Sequence, residues 1–388
     1  MAFLAARTRD VAAAEDALSE AFAAALSDWP QKGCPENPEA WLLTVARRRS
    51  IDHARRRCRD EIAAERLMAM AQELDAANAG GEFPDERLGL MFACAHPAIE
   101  AGIRAPLILQ TVLGLNAKVI ASAFLVSPTT MGKRLVRAKD KIRQAGVPFR
   151  VPEPEELPER LGAVLDAIYA AYTEGWADAA GSDVARRDLT EESLYLARLL
   201  GELLPKEPEA LGLLALTLYA EARRPARRSE TDEYVPLADQ DPTLWDSRKI
   251  VEAEGLLKRA GSFGVIGRYQ LEAALQSAHV FRCCTGRPNW PEVVQLYDAL
   301  YSIVGSPVVA INRALAIAET DGPQAGLDAI QAVAGDERLV EYQPYWAARA
   351  ELLSRLGRRE EAHKAYEIAI GLEHDPAVRV FLQRRQSG

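Results

Sequence analysis

The sequence predicts an all-α protein, and three observations carry that prediction. Ala, Leu, Glu and Arg dominate the composition, and these residues lose little freedom on entering a helix. Apolar residues, 48% of the 388, recur at three- and four-residue spacing. Runs rich in Val, Ile and Thr that alternate with polar residues, the mark of strands, are missing. A chain of this length buries a substantial core and is expected to divide into more than one domain.

The first helix is predicted over roughly 11–28, with Ala14, Leu18, Ala21, Phe22 and Ala25 as its apolar face and Trp29-Pro30 as its stop. Asn37-Pro38 then supplies a cap and a residue preset for the first helical position. The helix it opens runs to about residue 58, apolar at Trp41, Leu42 and Val45 and polar from Arg47. Arg48, Asp52, Arg55 and Arg59 share one of its faces, where Asp52 is placed to pair with Arg48 and Arg56. AQELDAANAGGEFPD (71–85), with a Gly pair and a Pro, reads as a flexible linker.

A compact helical domain is predicted over 86–146. Its last part, NAKVIASAFLVSPTTMGKRLVRAKDKIRQAG, has the form of two helices around a tight turn. Val119, Ile120 and Phe124 belong to the first helix, and Leu125-Val126 make the turn. Ser127-Pro128 cap and start the second, which Gly146 and Pro148 end. Met131, Leu135, Ala138 and Ile142 form its inward stripe. Thr129, Thr130, Lys133, Arg134, Arg137, Lys141 and Arg143 are left on the polar side. A short helix followed by a basic, hydroxyl-rich one is an arrangement that fits a DNA major groove. Many helical hairpins also carry basic faces that merely meet solvent.

VPFRVPEPEELPER (147–160), with four prolines, reads as a rigid connector. Beyond it, amphipathic helices are predicted at about 160–176, 186–204, 207–222, 246–260, 268–280, 291–304, 307–319, 323–333, 341–356 and 359–372. The clearest hairpin, WAARAELLSRLGRREEAHKAYEIAI, places Ala350, Leu353, Gly357, Ala362, Tyr366 and Ala369 close to the tetratricopeptide pattern. Pro376 falls later than that pattern wants, and INRALAIAETDGPQAGLDAIQAV is a weaker relative of it. A stack of helix pairs follows.

Charge is divided unevenly. The whole chain carries a net −9, yet residues 1–150 hold 21 basic against 18 acidic groups, a balance of +3 that leaves −12 for the rest. RRRSIDHARRRCR (47–59) and KRLVRAKDKIR (133–143) supply thirteen of those basic groups. Either run alone reads as a solvated helix face, whereas two runs on well-started helices point to a surface for phosphates. Five cysteines, irregularly spaced, do not make a disulfide framework, and stretches such as APLILQTVLGL are far short of a membrane span. The opening residues have no signal-peptide layout. A cytoplasmic protein is expected.

At this point the sequence resembles RNA polymerase sigma factors of the sigma-70 family, extracytoplasmic-function subfamily, in particular the group with a long C-terminal tetratricopeptide-like extension. AAEDALSEAFAAAL (13–26) is similar to the family's polymerase-gripping region. NPEAWLLTVARRRSIDHARRR (37–57) is similar to the segment that melts and reads the −10 element. LVSPTTMGKRLVRAKDKIR (125–143) is similar to the helix-turn-helix for the −35 element. The likeness continues through PEPEELPERL and DLTEESLYLARLL, so it covers essentially the whole chain.

The resemblance implies a sigma-2-like domain over 1–70, the 71–85 linker, a sigma-4-like helix-turn-helix domain over 86–146, the 147–160 connector and a tetratricopeptide-like extension over 161–388. It implies a non-enzyme that directs core RNA polymerase to promoter DNA, with no cofactor, no metal and no membrane. Asp16 and Glu20 are expected to face polymerase. Trp41, Arg48, Arg49, Asp52, Arg55 and Arg56 are expected at the −10 region. Ser127, Thr129, Thr130, Lys133, Arg134, Arg137 and Lys141 are expected to read the −35 element. There the hydroxyls would hold phosphates, Lys133 and Arg134 would reach base edges, and Arg137 and Lys141 would add phosphate contacts. Trp41 either supports a flipped base beside Arg48 and Arg49 or is a core residue at a helix start.

Three departures from the family are legible. The chain begins inside the first sigma-2 helical region, so a buttressing helix is expected to be missing. Leu125 stands in the turn where Gly is common, and Gly132 stands where a Lys is frequent. The acidic extension is expected to dock on and mask the DNA-reading domains, to recruit polymerase or a regulatory protein, or to share only an apolar interface. A helical-repeat scaffold with a degraded sigma-like region is the second reading, and a metabolic enzyme the third. Cys94-Ala95-His96 offers two ligands where a structural zinc needs four, so these residues are read as packing and capping. Glu174 and Glu191-Glu192 read as ordinary solvent-facing acids, and phosphate loops, nucleophile elbows and HExxH are missing.

Overall fold

A computed structural model describes Leu4 and residues 11–35, 37–57, 85–145, 152–176 and 184–387; side chains of 11–12, 50–57, 86, 143–145 and 184–187 lie outside that description. Apart from one isolated antiparallel bridge, Arg228 to Tyr234, the regular structure of the described residues is helical. The chain forms two compact units, Met1–Ala171 and Tyr172–Gly388, divided inside the helix Leu157–Trp176.

In the first unit, α1 (Val11–Lys32) packs on α2 (Pro38–Arg57). The contact is made by alanines: Ala14, Ala17, Ala21 and Ala25 are buried on α1, and Ala46 on α2. Two expectations are corrected here. Phe22 is not part of the apolar face; it is 51% exposed, because a stripe of methyl groups lets the helices approach too closely for a ring. Trp29-Pro30 does not stop the helix. Pro30 sits in its last turn, and Gly33, at φ 84°, ends it by donating its N–H to the Trp29 carbonyl at 2.9 Å. The start of α2 is as predicted, with Asn37 Oδ1 accepting the Ala40 N–H at 2.9 Å.

The same unit holds α3 (Glu86–Cys94), α4 (Ala101–Thr111), α5 (Ala117–Ala123) and α6 (Pro128–Ala145). Asp85 caps α3 through the Arg87 N–H at 2.7 Å, and Asn116 caps α5 through the Lys118 and Val119 N–H groups, both at 3.1 Å. Phe92, Leu107, Ile108, Ile120, Met131 and Leu135 are among its buried side chains. Part of the span predicted as a rigid connector is helical: Pro154–Glu156 form a 3-10 turn that leads into α7 (Leu157–Trp176). Arg160, buried in the first turn of α7, pairs with Glu156 at 2.9 Å and donates to the Phe92 carbonyl at 3.3 Å. The predicted linker, except Asp85, lies outside the described residues.

The second unit carries α8 (Val184–Leu203), α9 (Pro208–Arg223), α10 (Ser247–Gly261), α11 (Arg268–Thr285), α12 (Trp290–Val304), α13 (Pro307–Thr320), α14 (Pro323–Gln331), α15 (Gln343–Arg355), α16 (Arg359–Leu372) and α17 (Pro376–Ser387). All but the last were predicted. Most of α9 is buried, as expected of a helix that is apolar all round, and α8, α10 and α11 pack on it. Gly212 lets α9 touch α11: a Cβ there would lie 2.7 Å from the Gln270 nitrogen. In the predicted hairpin, Ala350, Leu353, Ala362, Tyr366 and Ala369 are all buried, and Gly357, at φ 72°, makes the turn between α15 and α16. The unpredicted α17 meets the 224–246 loop, through an Arg228–Asp375 ion pair and an edge-to-face contact of Tyr234 with Phe381. Among the described residues no helix is long and apolar enough to cross a membrane, and no cluster of acidic, His or Cys side chains is placed to hold a metal.

Candidate nucleic-acid interface

The local geometry of α5 and α6 follows from a few residues. Leu125 takes φ 51° after α5, which turns the chain and lets the Val126 N–H reach the Ala121 carbonyl at 3.0 Å. The second helix then starts at Ser127-Pro128. Met131, Leu135 and Ala138 are buried at spacings of four and three, so one face of α6 is fixed against protein. Thr129, Thr130, Lys133, Arg134, Arg137 and Lys141 are all exposed on the other. At 1.5 Å per residue, Thr129 to Lys141 spans about 18 Å of cationic face.

The hydroxyls differ from the expectation. Ser127 Oγ accepts the Thr130 N–H at 3.3 Å and donates to Thr130 Oγ1 at 2.8 Å, so Ser127 is spent on capping its own helix. Thr130 keeps its own proton to donate outward, and Thr129 is exposed. Arg134, Arg137 and Lys141 also line a concavity with Ile99, Glu100 and Ile103, where the Glu100 carboxylate is the one acid among three cations. Arg104 donates to the carbonyls of Ile99 and Pro97 at 2.8 and 2.9 Å.

Two features of α6 escaped sequence reasoning. Lys139, grouped with the basic run, is turned toward protein and pairs with Glu15 of α1 at 2.5 Å. Its position four residues after buried Leu135 was the available signal. Val136, 60% exposed between Lys133 and Arg137, puts an apolar surface on the cationic face, and such a group can lie against a thymine methyl.

The second positive helix is only partly described. Arg47, Arg48 and Arg49 are exposed on α2, and Asp52, Arg55 and Arg56 lie where the backbone is helical but the side chains are outside the described residues. Asp16 is exposed on α1. Glu20 and Arg49, expected to face different partners, pair with each other at 3.5 Å. Both are well exposed, so this pair is weak, on the order of 0–1 kcal/mol, and easily exchanged. Trp41 is half-buried with its ring centroid 5.5 Å from that of Trp29, edge to face. That contact fits the core alternative for Trp41, although part of its surface still meets solvent. Cys94 is fully buried, and burial pushes its thiol up to about 12. His96 Nδ1 accepts the Ala98 N–H at 3.1 Å, a capping contact.

Comparison with known proteins bears on both ends of the chain. Residues 1–60 match the family Sigma-70 region 2, and residues 160–261 match a Family of unknown function (DUF6596). Over 380 residues, 97% of this chain and 89% of the relative, the sequence is 37% identical to Uncharacterized protein R00370 of Rhizobium meliloti (strain 1021). No solved structure matches. The first match gives the all-α chain a sigma-70-like N-terminal region, and sigma-70 proteins are non-catalytic transcription factors. The chain belongs to the family of that Rhizobium meliloti protein and is linked through its region 2 to the sigma-70 proteins.

Proposed function

We propose that this protein is a sigma factor of the extracytoplasmic-function type, which brings core RNA polymerase to promoters by reading −10 and −35 elements and is regulated by its tetratricopeptide-like C-terminal part. One observation carries the reading: the exposed face of α6 that holds Lys133, Arg134, Arg137 and Lys141 while the opposite face is anchored. In this reading α5 and α6 are the helix-turn-helix of a sigma-4-like domain, and α6 lies in the major groove. Arg134 and Lys133 reach guanine edges, Val136 rests on a thymine methyl, and Arg137 and Lys141 hold phosphates. α2 serves the −10 element, Asp16 and Glu20 serve polymerase, and a regulatory protein is the expected partner of the extension.

The test is run-off transcription with purified core polymerase from promoters selected by binding. The combined substitution Lys133→Glu, Arg134→Glu and Arg137→Glu is expected to abolish the product while core binding persists. Each lost phosphate contact should also flatten the plot of log affinity against log salt by about 0.9. Undiminished transcription by the triple variant would sink the reading. The same experiment separates a second reading, a scaffold whose sigma-like region no longer initiates. It predicts partner binding without polymerase and no run-off product.

A further inference from the structure

The two candidate DNA-reading segments are joined through α1. Arg49 of α2 pairs with Glu20 at 3.5 Å, and Lys139 of α6 pairs with Glu15 at 2.5 Å. The Lys139 pair is the more sheltered, its side chains 20% and 36% exposed. Lys139 is also set apart on its own helix. At about 100° per residue it lies about 160° round α6 from Lys141. Contact on that flank leaves Lys133, Arg134, Arg137 and Lys141 exposed, and among the described residues those four form no ion pair. Lys139 is the member of the basic run that holds protein.

The lengths decide what this arrangement can do. Glu15 and Glu20 are five residues apart, about 7.5 Å along a helix about 10–12 Å across with its side chains. The two pairs therefore hold Arg49 and the exposed face of α6 within about 30 Å of each other. Elements centred at −10 and −35 lie about 25 base pairs apart, or about 85 Å at 3.4 Å each. A duplex that short is stiff, since the persistence length is about 150 base pairs, and it does not fold back to close the gap. While both pairs hold, α2 and α6 cannot meet the two elements together.

We infer that the Glu15–Lys139 pair is an autoinhibitory latch: it holds the chain in a closed arrangement that meets one promoter element at a time, and reading both requires it to break. The inference rests on the promoter reading above. Glu15 stands beside Asp16 and near Glu20, on the edge of α1 expected to face polymerase, so core polymerase taking that edge competes with Lys139 for it. Closure leaves the α6 face open to solvent, so the latch acts through the spacing of the two segments and not by covering the cations.

Zero-length carbodiimide coupling of the full chain tests it, because that reagent joins a carboxylate to an amine only where the two already touch. A Glu15–Lys139 linkage, read by peptide mass spectrometry, is expected in the free chain and should disappear when core polymerase and promoter DNA are bound. No such linkage in the free chain, or undiminished linkage in the promoter complex, overturns the latch. In run-off transcription at subsaturating core polymerase, Glu15→Gln and Lys139→Gln should each raise the yield roughly two- to fivefold, the worth of one partly exposed pair. The exchange of Glu15→Lys with Lys139→Glu should return it to the parental level. Parental yield from both Gln variants overturns the latch and leaves the promoter reading intact, whereas no product from parent or variants sinks that reading and the latch with it. Should Lys139→Gln fail to fold, Glu15→Gln, on the more exposed side of the pair, decides alone.

Discussion

Two residues of the candidate interface, Leu125 and Gly132, depart from what their backbone prefers. Leu125 holds φ 51°, a left-handed conformation that costs an L-residue about 1–2 kcal/mol, at the turn where the family resemblance expects Gly. Its side chain is half-buried, and that burial offsets part of the cost. Gly132 is the opposite case, a Gly inside a helix where a Cβ would meet nothing within 4 Å. Gly132→Ala is therefore expected to stabilise the protein by about 0.5–1 kcal/mol. Urea denaturation checks this, and a lower midpoint with an unchanged slope would contradict it. At this scale the sequence displayed faces well and pairings poorly. The buried stripe of α6 follows from a three- and four-residue spacing, so Met131, Leu135 and Ala138 could be read directly. The Lys139–Glu15 and Arg49–Glu20 pairs depend on how helices from separate segments approach each other, which no spacing within one helix encodes. Phe22 failed for the same reason, because only the closeness of α1 and α2 decides that a ring does not fit.

Helix ends in this chain are largely set by local chemistry. Pro38, Pro208, Pro307, Pro323 and Pro376 each stand within the first two helical residues, and this repeated signature made most boundaries legible. The missed α17 carried it too: Asp375 Oδ1 accepts the Ala377 N–H at 2.9 Å, just as Asn37 caps α2. Its proline falls later than the tetratricopeptide spacing wants, so the repeat pattern points away from a helix there. One helix start is set at long range. Gly267, at the cap position of α11, has no side chain, and Glu209 of α9 does the work instead. Its carboxylate accepts the Tyr269 N–H at 3.0 Å and the Gln270 N–H at 3.1 Å, where the positive end of the helix dipole also favours it. Glu209→Ala is expected to cost about 1–2 kcal/mol, as loss of a good cap does. The loss should show as faster amide hydrogen exchange in the first turn of α11 together with a lower melting temperature. Unchanged exchange there would mean the contact contributes nothing.

For the whole molecule, the −12 of residues 151–388 makes acidification the informative perturbation. Between pH 7 and 5 most carboxylates stay ionised, and histidine is the side chain that ordinarily titrates. His279 on α11 is held away from its protonated form. Burial pushes it down to about 4, and the positive charges of Arg282 and Arg223 add to the effect. Arg282 approaches His279 Nδ1 at 2.6 Å while its guanidinium lies 3.8 Å from the centroid of the Trp290 ring. The unfolded chain therefore takes up a proton near pH 6.5 that the folded chain refuses until about pH 4. Stability from this group is complete above about 6.5 and falls steadily as pH drops toward 4, by roughly 1–3 kcal/mol in all. Denaturation of the full chain at successive pH values measures it. His279→Asn keeps an acceptor for Arg282 but cannot be protonated, so its stability should decline less over that window. A parallel decline in parent and variant would place the acid sensitivity elsewhere, among the carboxylates that hold the second unit together through its arginines.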